Sequence, residues 1–299
     1  MHRLIRQHVR IETVAVLVTA WLAGGLALGL ATSAGAVLTV VLMALGPLFG
    51  GLLLLFRHNL ELASRIGNLD AVSQRTLDTV RRTRTETSAE LKHTFRQLEA
   101  LQNLNALLPT SEVLPATRTW AASPDLLLVL VDLVITERPS LVVECGSGAS
   151  TLWLGLAMRR FGIDGRIIAL DHDPVFGART RSLLARHDVG DLAEVREAPL
   201  ESFSLDGETY SWYSRRAWED LAGIDLLFVD GPPAVTGHRA RYPALPLLRE
   251  SLSPAATLVL DDLIVPDMQD VLRLWLEAYP DFGSEILPLE KQAAVLRKR

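Results

Sequence analysis

A stretch of 44 residues between Glu12 and Arg57 contains no charged side chain. As a single helix it would be about 66 Å long, roughly twice the ~30 Å hydrocarbon core of a bilayer. The small residues at 31–35 divide it into two segments, 13–31 and 36–56, and each is close to the ~20 residues that a membrane-spanning helix needs. The sequence therefore predicts a transmembrane hairpin of two helices.

Basic residues flank this apolar stretch on both sides, whereas the predicted turn is uncharged. The flanking residues are Arg3, Arg6, Arg10, Arg57 and Arg65. By the positive-inside rule, both ends of the hairpin face the cytoplasm, so residues 1–57 are predicted to form a multi-pass anchor in the inner (cytoplasmic) membrane. The alternative is a secretory signal cleaved near Ala34-Gly35-Ala36, which is disfavoured because a second apolar segment long enough to span follows directly.

Residues 58–108 are polar and show helical spacing, so they are predicted to form a connector between the anchor and the rest of the chain. Apolar residues recur every three or four positions at Leu62, Ile66 and Leu69, and again from Leu91 onwards. This spacing predicts a long amphipathic helix or helix pair, interrupted in the Thr-rich stretch 81–87. Two interpretations stay open, a coiled coil that forms a homodimer and a helix packed on its own domain.

The remaining sequence is acidic, with nineteen basic and twenty-eight acidic residues between positions 106 and 299, a net charge of −9. Such a balance argues against a nucleic-acid partner, because phosphate backbones bind basic surfaces. Cys145 is the single cysteine, which excludes an internal disulfide and a four-cysteine zinc site.

Beyond residue 110, apolar runs alternate with helical patterns, as in a doubly wound parallel α/β sheet. The predicted strands are Leu141–Cys145, Arg166–Leu170, Glu194–Arg196, Asp225–Val229 and Thr257–Leu260. The predicted helices are Pro124–Thr136, Ser150–Phe161, Pro174–His187, Tyr242–Ser251 and Asp267–Tyr279. A cofactor cleft is expected at the carboxyl ends of the strands.

A glycine-rich turn follows the first of these strands, at Gly146-Ser147-Gly148. Glycines there allow a ligand to lie against bare backbone at a helix N-terminus. The dinucleotide fingerprint needs a third glycine, but Thr151 stands in that place, and Glu144 would repel a pyrophosphate. A nicotinamide-dependent oxidoreductase is therefore disfavoured, whereas a carboxylate suits a cationic amino-acid group.

A second acid, Asp171, ends the next predicted strand, 23 residues after Gly148. A carboxylate at this position can accept both hydrogen bonds of a ribose diol. Together, Glu144 and Asp171 suit an adenosine that carries a cationic tail.

Three motifs resemble those of class I S-adenosylmethionine-dependent methyltransferases, at 142–148, 169–173 and 228–231. The resemblance covers roughly residues 115–299, within a predicted methyltransferase domain at 109–299. It implies a Rossmann-like, mostly parallel sheet, with Ala293–Leu296 as a final antiparallel strand. Within this class the sequence is similar to bacterial O-methyltransferases of the catechol-methyltransferase-like branch. The resemblance implies S-adenosylmethionine as cofactor, with the methionine part near Glu144, Gly146, Ser147 and Gly148, the ribose on Asp171, and His172 beside it.

Three acids, Asp230, Asp261 and Asp262, follow the fourth and fifth predicted strands. They are expected to converge at one edge of the sheet, where their oxygens would suit Mg²⁺. In the alternative, Asp261 caps the next segment and Asp262 is solvated. The lysine of metal-dependent catechol-type enzymes is missing, and Pro232 and Pro233 stand in its place.

Two catalytic mechanisms are open. In one, a metal ion assists and Asp230 takes part; in the other, His238 is the catalytic base without a metal. The expected function is a membrane-anchored methyltransferase whose domain faces the cytoplasm. Its expected acceptor is a small molecule, a sugar or a lipid-linked compound. The competing expectation is a non-catalytic membrane scaffold with a methyltransferase-like fold.

Overall fold

The computed structural model describes residues 16, 19–24, 27, 35–117 and 121–299. The chain divides into two compact units, one up to Thr87 and one from Ser88 to Arg299. Most of the predicted span 13–31 and of the turn after it lies outside the described residues, and those of the span that are described are helical.

A single helix, α1 (Gly35–Leu107), contains the second predicted span and the whole connector. The part of α1 from Met43 onwards includes an 18-residue window with a mean hydropathy of 1.2, and its side chains are exposed. By length and composition this window is long and apolar enough to cross a membrane. One such helix supports a membrane association only weakly, and it does not by itself support two spans.

The predicted interruption at 81–87 is wrong, because α1 continues through the Thr-rich stretch. Within this stretch the Thr85 hydroxyl donates to the backbone carbonyl of Arg81 at 3.0 Å, and Thr79 and Thr94 on either side make the same contact four residues back. Arg82 and Glu86 also form an ion pair one helical turn apart, at 2.7 Å. These local contacts are compatible with a helix, so the low helix propensity of threonine does not end it.

The second unit is built on a seven-stranded sheet in the order β3-β2-β1-β6-β7-β9-β8. The first five strands in that order are parallel, and β9 and β8 are antiparallel additions at one edge. The strands are β1 (Leu141–Cys145), β2 (Arg166–Asp171), β3 (Ala193–Glu197), β6 (Ile224–Val229), β7 (Leu252–Leu260), β8 (Phe282–Leu287) and β9 (Ala293–Lys298). The structure confirms the predicted Rossmann-like fold and its final antiparallel strand, while β8 was not predicted.

Five α-helices follow α1 in the second unit. They are α2 (Pro124–Glu137), α3 (Ala149–Phe161), α4 (Pro174–Arg186), α5 (Ala244–Leu248) and α6 (Pro266–Ala278). Proline stands first in three of these helices, where its missing N–H costs no hydrogen bond. The predicted helix Tyr242–Ser251 is shorter than expected, since α5 gives way to a 3₁₀ turn at Arg249–Ser251.

A hairpin before β6 was missed by the sequence reading. It consists of β4 (Leu200–Leu205) and β5 (Glu208–Tyr213), joined by Asp206 and Gly207. Both turn residues have positive φ angles, 51° and 83°, as a two-residue turn of type I′ requires. The hairpin buries Trp212 completely.

The central strand β1 is buried on both faces, which places its carboxyl end deep in the molecule. Val143 belongs to a core cluster that includes Trp212 and Trp275, and Val142 belongs to a second cluster with Trp153. Parallel strands covered on both faces form a rigid layer. The loops that follow β1, β2, β6 and β7 are therefore held at one edge of the sheet.

Candidate active site

The glycine-rich turn after β1 forms the floor of the candidate site. Gly146 has a φ of +110° and donates its N–H to the Leu170 carbonyl at 2.9 Å, which joins the turn to the end of β2. Gly148 has a φ of +152°, again in a region that favours glycine. The Gly148 N–H donates to the Thr151 hydroxyl at 3.0 Å. A backbone donor that a pyrophosphate would use is therefore already satisfied within the turn.

Glu144 lies on β1 with an exposed fraction of 1 %. No cationic side chain pairs with its carboxylate among the described residues. Burial raises the pKa of this carboxyl group to about 7, although the neighbouring hydroxyls of Thr151 and Ser150 oppose the rise. A buried carboxylate without a cationic partner is costly, and a cationic ligand group would stabilise it. This fits the ammonium group of S-adenosylmethionine.

Asp171, at the end of β2, is also buried, with an exposed fraction of 7 %. One of its oxygens accepts the Asp173 N–H at 2.9 Å, and the other accepts the Ser147 hydroxyl. The Ser147 oxygen also lies 3.0 Å from the Thr180 hydroxyl on α4. The glycine-rich turn and Asp171 therefore form one hydrogen-bonded unit. A carboxylate has about four lone-pair sites, so acceptor capacity remains for a ribose diol.

His172 follows Asp171 and is partly exposed. Its ring lies 6.5 Å from the ring of Tyr213, which is buried at the end of the unpredicted hairpin. Tyr213 in turn approaches Gly231 so closely that a Cβ at Gly231 would overlap its hydroxyl. From the sequence, Tyr213 either lines an acceptor pocket with Trp212 and Trp218 or packs in the core, and the structure buries all three in one core cluster. The Asp-Gly turn of the hairpin was a usable signal for its position.

The acids after β6 and β7 come together as an acidic triad, defined as Asp230, Asp261 and Asp262. One oxygen from each residue lies within 4.8 Å of the others. Asp261 has an exposed fraction of 1 %, and its Oδ2 has no partner among the described residues. Three converging oxygens with one buried and unpaired fit a divalent cation such as Mg²⁺.

Two basic side chains contact the triad. The sequence offers Arg241, close to His238, as an anion clamp, whereas Lys291 was not assigned to the site from the sequence. Arg241 Nη2 lies 3.1 Å from Asp230 Oδ1 and 2.7 Å from Asp262 Oδ2. Lys291 Nζ lies 3.4 Å from Asp262 Oδ1. The alternative in which Asp262 is merely solvated is therefore wrong, because its side chain is paired and only 20 % exposed.

The protonation of the triad follows from its burial. Desolvation raises the pKa of Asp230 and of Asp261, because a charged carboxylate is disfavoured away from water. The negative charge of Asp230 raises the pKa of Asp261 further, whereas the Arg241 guanidinium opposes the rise at Asp230. A cation among these carboxylates therefore stabilises their charged forms.

His238 lies on the loop after β6, with a side chain that is 59 % exposed. Its Nδ1 is 3.1 Å from Asp267 Oδ2, in the first turn of α6. The backbone N–H of Arg239 donates to the same oxygen at 3.2 Å. Within the described part of the chain, no hydrogen bond or ion pair joins His238 to the triad. The structure thus places this candidate base on a loop tied to α6.

Comparison with known proteins identifies the fold that holds this site. A family model described as a methyltransferase domain matches residues 143–263. No curated protein matches the chain significantly. Similar solved structures include a methyltransferase from Geobacter sulfurreducens, with 16% identity over 67% of this chain and 88% of that one and a TM-score of 0.46. The O-methyltransferase from Bacillus cereus in complex with SAH has 19% identity over 68% and 90%, with a TM-score of 0.46.

A third similar structure is the O-methyltransferase TomG from Streptomyces achromogenes in complex with SAM, with 18% identity over 68% of this chain and 88% of that one and a TM-score of 0.45. The assignment itself rests on the family model, which spans the glycine-rich turn, Asp171 and the acidic triad. Residues 143–263 of the chain thus match a methyltransferase domain.

Proposed function

We propose that this chain is a membrane-anchored methyltransferase that transfers the methyl group of S-adenosylmethionine to an acceptor oxygen. The observation that carries the proposal is the buried carboxylate of Glu144, which has no cationic partner among the described residues and lies on the strand next to that of Asp171. The two carboxylates lie on adjacent strands, so one can bind the amino-acid end of S-adenosylmethionine while the other binds its ribose. Glu144, Gly146 and Gly148 would hold the methionine part, and Asp171 would hold the ribose with Ser147 and His172 beside it.

The cofactor supplies the chemistry, because its sulfonium sulfur is a good leaving group. Held by Glu144 and Asp171, the cofactor would supply an electrophilic methyl group for the acceptor oxygen, with S-adenosylhomocysteine as the other product. The protein's main contribution is to hold the acceptor oxygen in line with the methyl group. Burial of Glu144 and Asp171 on rigid strand ends fixes the cofactor side of this geometry.

The acidic triad is the proposed acceptor site. Asp230, with its raised pKa, is the proposed base that takes the proton of an acceptor hydroxyl. A divalent cation held by Asp230, Asp261 and Asp262 would lower the pKa of that hydroxyl. His238 remains the alternative base, since its loop follows the same strand as Asp230.

The charge-free N-terminal stretch supports an anchor in the inner membrane, with the methyltransferase domain in the cytoplasm, where its cofactor is made available. Because a tethered enzyme acts on substrates close to the membrane, the proposed methyl acceptor is a lipid-linked compound, a sugar or another small molecule. The exposed stripe of Leu62, Ile66 and Leu69 on α1 supports a homodimer through the connector.

The proposal is tested by transfer of a labelled methyl group from S-adenosylmethionine to membrane extracts by the full chain. We expect label in an extractable acceptor with the wild-type protein and almost none with Asp230→Asn, whereas Asp164→Asn, an exposed acid before β2, should match the wild type. S-adenosylhomocysteine binding without any transfer would favour the non-catalytic scaffold. Transfer that survives in Asp230→Asn but is lost in His238→Ala would assign the base to His238.

Anchoring is tested on the same full chain. It should stay in the membrane fraction after alkaline carbonate, and a reporter fused after Arg299 should report the cytoplasm. Release by carbonate would remove the anchor, and a reporter signal from the opposite side would reverse the topology.

A further inference from the structure

Arg241 is a buried cation beside the acidic triad that the cofactor site does not use. Its side chain is 8 % exposed and reaches two members of the acidic triad through a single nitrogen, Nη2. Its other terminal nitrogen, Nη1, donates to the Asp261 carbonyl at 3.2 Å. The guanidinium therefore contacts all three residues of the triad.

These contacts use the same carboxylates that a divalent cation would need. Nη2 lies between Asp230 Oδ1 and Asp262 Oδ2, at 3.1 and 2.7 Å, so a cation bridging these carboxylates would lie in the immediate vicinity of a positive guanidinium. Like charges this close repel strongly where water is largely excluded. Arg241 and a bridging cation thus compete for one place.

The triad nevertheless retains a site for a further cation. The triad has three carboxylates but only two basic groups beside it, Arg241 and Lys291, among the described residues. Lys291 contacts the triad once, at 3.4 Å, which is longer than either contact of Arg241. Asp261 Oδ2 is buried and has no partner within the described residues, although its neighbours are paired. A buried carboxylate oxygen normally has a partner, and a cation bound within the triad would provide one for Asp261 Oδ2.

We propose that Arg241 is a built-in counter-cation that competes with Mg²⁺ or Mn²⁺ for Asp230 and Asp262, and so sets the affinity of the triad for divalent cations. The inference rests on the proposed role of the triad as a cation site. When a cation binds, the guanidinium moves off the two carboxylates; when the cation leaves, Arg241 returns and keeps the triad neutralised. The chain thereby responds to the concentration of free divalent cation.

The test compares the full wild-type chain with Arg241→Gln in detergent, using Mn²⁺ alone as the probe and its electron paramagnetic resonance signal as the readout of free ion. Removing the competitor should tighten Mn²⁺ binding by about tenfold or more, as linkage between two ligands of one site requires. Arg239→Gln is the matched control, because Arg239 pairs with Asp270 and Glu208, outside the triad. It should bind Mn²⁺ like the wild type.

Thermal unfolding of the same samples covers the case in which Arg241→Gln is too unstable to titrate. Mn²⁺ should then raise the melting temperature of Arg241→Gln much more than that of the wild type, since it replaces the lost positive charge. Arg241→Lys keeps the charge but lacks the planar fork, so it should lie between the two.

Equal or weaker Mn²⁺ binding in Arg241→Gln would overturn the proposal, and so would the lack of Mn²⁺ binding in both proteins. S-adenosylhomocysteine binding is measured on the same samples to separate the two proposals. If this ligand binds and the Mn²⁺ affinities are equal, only the role of Arg241 fails. If this ligand does not bind, the proposed function fails independently of the Mn²⁺ result.

Discussion

The buried carboxylate of Glu144 makes the stability of the ligand-free protein depend on pH in a way that can be worked out from the structure. Burial raises its pKa from the ordinary 4.5 to about 7 in the folded chain. Since one pKa unit corresponds to about 1.4 kcal/mol, this difference is equivalent to about 3 kcal/mol. The perturbation that isolates it is Glu144→Gln, which keeps the shape of the side chain and removes the titration.

The sign follows from which state holds the proton. Below pH 4.5, Glu144 is protonated in both the folded and the unfolded chain, so it contributes no pH dependence. Between pH 4.5 and 7, the unfolded chain releases the proton while the folded chain retains it, and the wild type loses stability as pH rises. Above pH 7, the full penalty of about 3 kcal/mol is present. The free energy of unfolding of the wild type should therefore fall by this amount relative to the variant.

The assay is urea unfolding of the full chain in a non-ionic detergent, followed by tryptophan fluorescence from pH 4 to 8. The buried amide of Glu144→Gln adds an offset that does not change with pH, and other titrating groups cancel in the difference between the two proteins. Glu285→Gln, an exposed glutamate on β8, is the control and should show no such trend. A constant difference between wild type and Glu144→Gln over this range would refute the reasoning.

Three further predictions concern other parts of the molecule. Binding of S-adenosylmethionine near pH 7 should release a proton from Glu144, because an adjacent ammonium lowers its pKa, and calorimetry in buffers of different ionisation enthalpy measures this. Gly231→Ala should destabilise the fold by about 1–3 kcal/mol, because its Cβ would overlap a buried tyrosine hydroxyl, whereas Gly237→Ala has open space and should not. If α1 dimerises in parallel, Leu69→Cys should cross-link readily in the membrane-bound protein and Asp78→Cys, nine residues and therefore half a rotation away on the helix, should not.

Regular elements with strong local signals could be predicted from the sequence. The strand β1 was placed correctly because an apolar run, interrupted only by Glu144, ends at the glycine-rich turn, and β2 was placed to within one residue. The hairpin β4–β5 was missed because it lies in an insertion where two signals were not used. These are the alternation of polar and apolar residues along its strands and its two-residue turn. The interruption in α1 was wrongly predicted because only the low helix propensity of threonine was considered. The Thr85 hydroxyl in fact donates a hydrogen bond to a carbonyl of the same helix.

The site was only partly predictable for a physical reason. Acids at the ends of parallel strands must meet at one edge, so Asp230 and Asp261 could be expected together from strand order alone. Arg241 and Lys291 reach the triad from loops, and the path of a loop depends on tertiary packing that no periodicity reports. The same holds for His238, whose loop is tied to Asp267.

Titration of the full chain with S-adenosylhomocysteine by calorimetry tests the central claim most directly. The account predicts one-site binding that is at least about tenfold weaker in Asp171→Asn, since a hydrogen bond to a charged acceptor contributes about 1.5–3 kcal/mol. Asp164→Asn should bind like the wild type, because that acid is exposed and precedes β2, at the opposite end of the strand from Asp171. Equal affinity of Asp171→Asn and wild type, or tighter binding of NAD than of S-adenosylhomocysteine, would contradict the account.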